Sequence, residues 1–269
     1  MAEEEKAKRN LNRRDFLKGV AAGASGMAAG GILPGYASAA AKATPGASAS
    51  LIPETWDREA DVVILGYGGS GIVAAIAAAD GGVGVLVLEK SPISGGCTKI
   101  SDCNITAPKN VESMVSYLKD TIAQHDVSDA VIRAVSEETC RNPQWLESMG
   151  IKFAVGNNVM TEFPTASGHQ DMTTGRPSGS NAKKAATKGA HGGILCDTLV
   201  EQAEARGVEV LYNTPAKELV QNPETREILG IRAEQDGKEI TVKARKAVIL
   251  CTGPFDFNEE MVRTPSDGN

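Results

Sequence analysis

Gly66-Tyr67-Gly68-Gly69-Ser70-Gly71 carries glycines at the first, third and sixth positions, the spacing that lets a backbone turn cradle a diphosphate. Each glycine has its own reason. Gly66 permits a tight turn, Gly68 lets the backbone approach a pyrophosphate that a β-carbon would repel, and Gly71 lets a helix pack closely on a strand. Gly69 and Ser70 lie in the same turn, where a helix N-terminus offers free N–H groups and a partial positive charge. Eighteen residues past Gly71 stands Glu89, followed by Lys90. A carboxylate there can accept hydrogen bonds from both hydroxyls of an adenosine ribose.

The elements that must hold these residues are legible on either side of them. Residues 61–65 (DVVIL) and 85–89 (VLVLE) are short apolar runs rich in β-branched residues and read as buried parallel strands. An alanine-rich helix from Ile72 joins them, with small residues at Ala75 and Gly82 for close packing on the sheet. The glycine motif therefore stands in a strand, turn, helix, strand, acid order, which a glycine-rich surface turn with an unrelated Glu does not explain. This order identifies a dinucleotide cradle without separating FAD from NAD, since both contain ADP. The continuation bears on that choice: Ser94-Gly95-Gly96-Cys97-Thr98 is a glycine-bearing loop suited to an extended cofactor, where an NAD domain would usually enter another strand-helix unit.

Downstream, helical spacing predicts helices over 111–124 and 128–140, a short helix over 142–149 stopped by Gly150, and a helix from about Gly193 to Arg206 that delivers a strand at 208–212. Three β runs at 216–221, 228–234 and 239–243, separated by Asn222-Pro223 and Asp236-Gly237, predict an antiparallel meander. Residues 247–251 (AVILC) return to a buried strand. Residues 156–190 show no periodicity and read as a long irregular stretch. The expected fold is α/β: a Rossmann-like domain with a parallel sheet plus an antiparallel meander, incomplete at its C-terminus.

The 269 residues are 41% apolar and 23% charged, enough for a sizeable core, and the formal charge is -6. No basic run occurs beyond the first twenty residues, so binding to a nucleic-acid backbone is not expected. Cys97, Cys103, Cys140, Cys196 and Cys251 form no CxxC pair and read as free thiols, giving neither a zinc site nor a disulfide framework. No metal site is expected. No CxxCH occurs, so haem would be carried by another polypeptide.

The first forty residues differ in kind. Lys6, Lys8 and Arg9 precede Asn12-Arg13-Arg14-Asp15-Phe16-Leu17-Lys18, a weakly apolar run from Gly19 to Leu33, then Pro34 and Ala37-Ser38-Ala39. The order is that of a signal peptide, and the paired arginines resemble the twin-arginine type, with Asn12 where Ser or Thr is usual. An apolar run of about 15 residues is shorter than the roughly 20 a membrane span needs, so no stable span is expected. The expected organisation is a signal over 1–39, a flexible linker over 40–57 and a cofactor domain over 58–269, exported to the periplasm or the exterior of the cell envelope.

From Asp61 to Arg263 the sequence resembles the fumarate reductase/succinate dehydrogenase flavoprotein family, particularly its soluble, exported members. The likeness rests on the glycine turn through Glu89-Lys90, the Gly95-Gly96-x-Thr98 loop, Asn142 to Phe153, His191-Gly192-Gly193, Thr214 to Leu219 with its meander, and Ala247 to Phe255. It implies FAD. The backbone of Gly66, Gly68, Gly69, Ser70 and Gly71 would hold the pyrophosphate, and Glu89-Lys90 would lie at the ribose. Gly96, Cys97 and Thr98 would lie near the phosphates and ribityl chain, Ala216 at the adenine, and Thr252-Gly253 beneath the cofactor. Three departures stand out: Cys97 replaces Asn, Cys103-Asn104 replaces Gly-Gly beside the flavin, and Pro254 replaces a glycine.

Family members run to roughly twice this length, and the likeness places their catalytic groups beyond Asn269, so the expectation is an N-terminal fragment. The implied full-length activity is hydride transfer from flavin to an activated C=C bond, such as that of an unsaturated carboxylate. A cytochrome or quinol-linked partner would supply electrons. Two alternatives stay open: a flavin dehydrogenase of the ketosteroid type, running hydride the other way, and a truncated remnant without catalysis. Among smaller signals, His125 reads as a solvated or capping residue, and Trp145 as a core anchor. His169 and His191 are secondary candidates for touching cofactor or substrate. Lys183, Lys184 and Lys188 read as a solvated face.

Overall fold

The computed structural model describes residues 52–122, 126–159, 163–180 and 191–255. The signal, most of the linker, His125, the three lysines and the chain beyond 255 lie outside the described residues. The elements in order are β1 (Arg58–Leu65), α1 (Gly69–Asp80), β2 (Val85–Leu88), α2 (Gly96–Ile100), β3 (Ile105–Thr106), α3 (Val111–Thr121), α4 (Asp129–Cys140), α5 (Asn142–Ser148), β4 (Ile151–Val159), β5 (Thr173–Ser180), α6 (His191–Glu204), β6 (Glu209–Leu211), β7 (Ala216–Gln221), β8 (Ile228–Gln235) and β9 (Lys238–Leu250).

Six strands form the main sheet in the order β6-β2-β1-β9-β8-β7. β6, β2, β1 and β9 run parallel, and β9, β8 and β7 continue antiparallel. The parallel strands and the meander are thus one sheet joined through β9. The sequence pattern reads two strands, 239–243 and 247–251, where the chain makes one of 13 residues. Its two ends have different partners. Residues 238–243 pair with β8, while 242–250 pair with β1. The polar break at Lys243-Ala244-Arg245-Lys246 is a register irregularity opposite Ala60 and Val62, with Arg245 turned out to Asp61 and Glu59.

That irregularity also sets which faces of β1 are buried. Val62 and Ile64 join one core cluster, while Ala60, Val63 and Leu65 join the other. The shift in parity between Ala60 and Val63 is what one extra residue in a strand produces. The first cluster lies under α1 and α6, where Ile72, Ala75, Ile76, Cys196, Leu199 and Ala203 are almost wholly buried. Burying each of the large aliphatic side chains contributes about 1.5–3 kcal/mol. Trp145 packs at the edge of this cluster. The second cluster is built from strand residues alone.

A second, three-stranded sheet has the order β3-β5-β4. Most of its two long strands falls within residues 156–190, the stretch whose sequence shows no periodicity. β5, TTGRPSGS, has no apolar alternation. Its small residues serve packing, since a β-carbon at Gly175 would lie 2.5 Å from the Phe153 ring. At the N-terminal edge Asp57 accepts from the Thr241 N–H at 2.7 Å, and Trp56 packs over Gly230, so the last two residues of the expected linker are held to the sheet. Among the described residues no helix is long and apolar enough to cross a membrane.

Candidate cofactor site

The turn after β1 is built by backbone. The Gly66 N–H donates to the Leu88 carbonyl at 2.8 Å, and Gly66 takes φ +95°. A β-carbon there would strike the Cys251 carbonyl of the neighbouring β9, so the first glycine is demanded by the fold. Gly71 is demanded as well, because its β-carbon would strike the Gly66 carbonyl. Gly69 faces Thr98, whose Oγ1 would lie 2.6 Å from an added β-carbon.

Gly68 is the exception. Its backbone is extended (φ -77°, ψ -173°), and an added β-carbon would meet only the Gly95 carbonyl, at an ordinary 3.7 Å. Among the described residues nothing requires a glycine there, and the space a methyl would fill borders the first turn of α1. That helix has no side-chain cap hydrogen bond, so the N–H groups of Gly69, Ser70 and Gly71 have no intrahelical acceptor. A diphosphate supplies the missing oxygens and the charge that the helix end favours. The residues present therefore fit the nucleotide end of the cofactor.

Glu89 closes this turn from the side. Its side chain is buried at 7% exposure, and Oε2 accepts from the Tyr67 N–H at 2.6 Å while Oε1 accepts from the Ser91 N–H at 2.8 Å. Two backbone donors fix the carboxylate and leave further lone pairs for hydroxyl donors. Its own main chain joins the next loop: Glu89 N–H donates to Leu211 and Glu89 C=O accepts from Thr214, both at 2.9 Å. Ala216, half-buried at the start of β7, follows two residues later. Lys90 is exposed beside Glu89.

The 94–98 loop runs into a five-residue helix, α2, entered through Gly95 and Gly96 with φ +107° and +48°. The Gly95 N–H donates to the Tyr67 carbonyl at 2.8 Å, and Gly68 and Gly95 form a parallel bridge. Gly96, Cys97 and Thr98 are thereby set against the first turn, with Cys97 exposed. From β9, the Cys251 N–H donates to Leu65 at 2.8 Å, and exposed Thr252 and Gly253 follow, Gly253 at φ +80°. All these positions gather at the carboxyl ends of the parallel strands, where open α/β sheets bind ligands.

His191 borders this cluster through Gly192, where a β-carbon would strike the Thr98 carbonyl. His191 opens α6, its Nδ1 2.6 Å from the Pro177 carbonyl, and His169 lies in a 3-10 turn with Nε2 buried and unpartnered among the described residues. The Tyr67 hydroxyl is likewise buried without a partner among the described residues, and its ring meets that of Tyr212 edge to face. Burial raises its pKa, as it does that of the Cys103 thiol, and it pushes the Cys196 thiol up to about 12. Sequence reading missed the amides of Tyr67 and Ser91 that hold Glu89. Backbone donors carry no residue-type signal. A hollow of about 340 Å³ lined by Glu147, Gly150, Ile151, Lys152 and Phe153 shares no residue with the cluster. No metal-binding group of side chains occurs among the described residues.

A family model described as an FAD binding domain matches residues 61–267. The chain is 28% identical over 239 residues to the NADH:fumarate oxidoreductase of Klebsiella pneumoniae (strain 342), covering 83% of this chain and 24% of that protein. It is 32% identical over 222 residues to the urocanate reductase of Eggerthella lenta, covering 78% of this chain and 34% of that one. Among solved structures, the 3-ketosteroid-delta4-(5alpha)-dehydrogenase of Rhodococcus jostii RHA1 superposes with a TM-score of 0.67 at 27% identity, covering 79% of this chain and 50% of that one. The chain thus spans a quarter to a third of the length of these two curated relatives.

Proposed function

Because the chain belongs to the FAD binding domain family, and FAD is its cofactor, we propose that it forms the FAD-holding part of a reductase that delivers hydride to an activated C=C bond, such as that of an unsaturated carboxylate. When bound, FAD supplies the hydride at its N5. The residues described here bind and orient. The Gly66–Gly71 turn takes the diphosphate on amides, Glu89 takes the ribose hydroxyls, and the α2 segment and Thr252-Gly253 flank the remainder. The observation that carries the reading is Gly68: a glycine with protein-side room for a methyl, beside three N–H groups without intrahelical acceptors.

The reductive direction draws support from the relatives called NADH:fumarate oxidoreductase and urocanate reductase. A ketosteroid-type dehydrogenase is the second reading, favoured by the superposition on the Rhodococcus enzyme. Export by the twin-arginine route, with electrons from a cytochrome or quinol-linked partner, belongs to the same proposal and rests on Arg13-Arg14 and the residues after them. Purification of the complete gene product tests it. The expected result is a yellow protein that oxidises reduced viologen with fumarate or urocanate as acceptor. A colourless protein that takes up no FAD refutes the cofactor role, and turnover of ketosteroids alone selects the second reading.

A further inference from the structure

We propose that the Lys99–Asp197 ion pair is a positioning element for the cofactor, clamping the Gly95–Thr98 segment against the diphosphate turn. The inference rests on the FAD reading above and concerns how the protein's own residues prepare for that ligand.

The segment has reason to need a clamp. Gly95 and Gly96 are consecutive left-handed glycines, the residues that lose most conformational freedom on ordering. The five-residue α2 that follows buries none of its residues. Yet Thr98 must stand over Gly69, and Gly95 must stay bridged to Gly68, for this wall of the cradle to exist.

Helix α6 supplies the anchor along one face. Gly192 packs so closely that a β-carbon would strike the Thr98 carbonyl and approach Ser101 O at 2.8 Å. One turn on, the Cys196 thiol points at the Gly95 carbonyl, Sγ to O 3.9 Å. The next residue is Asp197, whose Oδ1 accepts from Lys99 Nζ at 2.8 Å. The lysine stem crosses Gly95 on its way: a β-carbon at Gly95 would lie 2.5 Å from Lys99 Cβ and 2.8 Å from its Cδ. The ion pair thus tightens a strap over the glycine that borders Gly68.

Exposure separates this pair from ordinary surface pairs. The Lys99 and Asp197 side chains are 27% and 15% exposed, against 45% and 82% for Lys119–Asp129. Shielded charges interact more strongly than solvated ones. Arg206–Asp80, at 2.6 Å, ties the other end of α6 to α1 and makes no contact with the 95–101 segment, so it serves as the control.

The experiment compares wild type, K99M, D197N, D197E and D80N as the full chain. FAD dissociation constants come from flavin fluorescence, and melting temperatures are taken with and without FAD. Methionine keeps the stem over Gly95 and removes only the ammonium, so K99M serves where D197N folds poorly. Loss of the charge-assisted bond is expected to weaken FAD binding about tenfold in K99M and D197N and to shrink the FAD-induced rise in melting temperature. D197E recovers most of the affinity, and D80N lowers the melting temperature without changing FAD affinity. FAD affinities of K99M and D197N equal to wild type overturn the proposal, and so does D80N weakening FAD as much as they do. Failure of the wild-type chain to bind FAD would instead overturn the cofactor reading and this inference with it.

Discussion

Alanine substitutions at Gly68 and Gly71 should separate the demands of fold from those of ligand within one turn. At Gly71 the added methyl collides with the Gly66 carbonyl and stands 3.0 Å from its carbon. That peptide cannot retreat, because its N–H, that of Tyr67, is bonded to Glu89 Oε2 at 2.6 Å and the preceding one, that of Gly66, to Leu88 at 2.8 Å. Overpacking against fixed backbone costs about 3 kcal/mol, which for a domain of this size lowers the melting temperature by about 6–12 °C. At Gly68 the methyl meets only a carbonyl at 3.7 Å in an extended backbone that alanine accepts. The weaker cap costs under about 1 kcal/mol. The same methyl occupies the space a diphosphate needs, so Gly68→Ala should weaken FAD about 10- to 100-fold. Thermal melts of the cofactor-free chain and FAD titrations read the two effects independently. Equal melting losses in the two variants, or undiminished FAD binding by Gly68→Ala, would refute the reasoning.

Three other outcomes follow from particular contacts. Glu89→Ala strips the Tyr67 and Ser91 N–H groups of their acceptor and should cost about 2 kcal/mol or more, with loss of FAD binding, in denaturant titrations. Tyr67→Phe removes a buried hydroxyl that has no partner among the described residues and should raise stability by about 1 kcal/mol; a fall in stability would refute this. The third outcome concerns pH. Cys196 has a thiol pKa raised by burial from 9.0 to about 12. Its contribution is complete below the unfolded value and is lost as pH rises from about 9 toward 12, because the unfolded chain ionises first. Denaturant midpoints measured across that range should fall, and less steeply in Cys196→Ala.

The residues legible in the sequence are those whose reasons are local. The glycine turn, α1 and the acid at the end of β2 follow one another within some thirty residues, and each carries a composition signal: β-branched runs, alanines, glycines at fixed offsets. α3, α4 and α6 begin and end within a few residues of the apolar spacing that predicts them. What was not legible depends on partners far along the chain. β5 is a strand because β3 and β4 flank it and because Gly175 admits the Phe153 ring, and neither fact leaves an alternating pattern. β9 reads as two strands because its polar middle holds the extra residue of a register shift against β1, 184 residues away at the Arg245–Asp61 contact.

The same distinction runs through the cofactor site. Glu89 was identifiable as a carboxylate at the right distance, but the groups that fix it are the amides of Tyr67 and Ser91, which any residue would supply. Residue type therefore reveals a site only where the ligand makes a demand the fold does not. Gly66 and Gly71 would be glycines in a turn of this shape whether or not anything bound, since backbone fills the place of their side chains. On the proposed function, Gly68 answers to the ligand instead, and its substitution is therefore the one that should separate binding from folding.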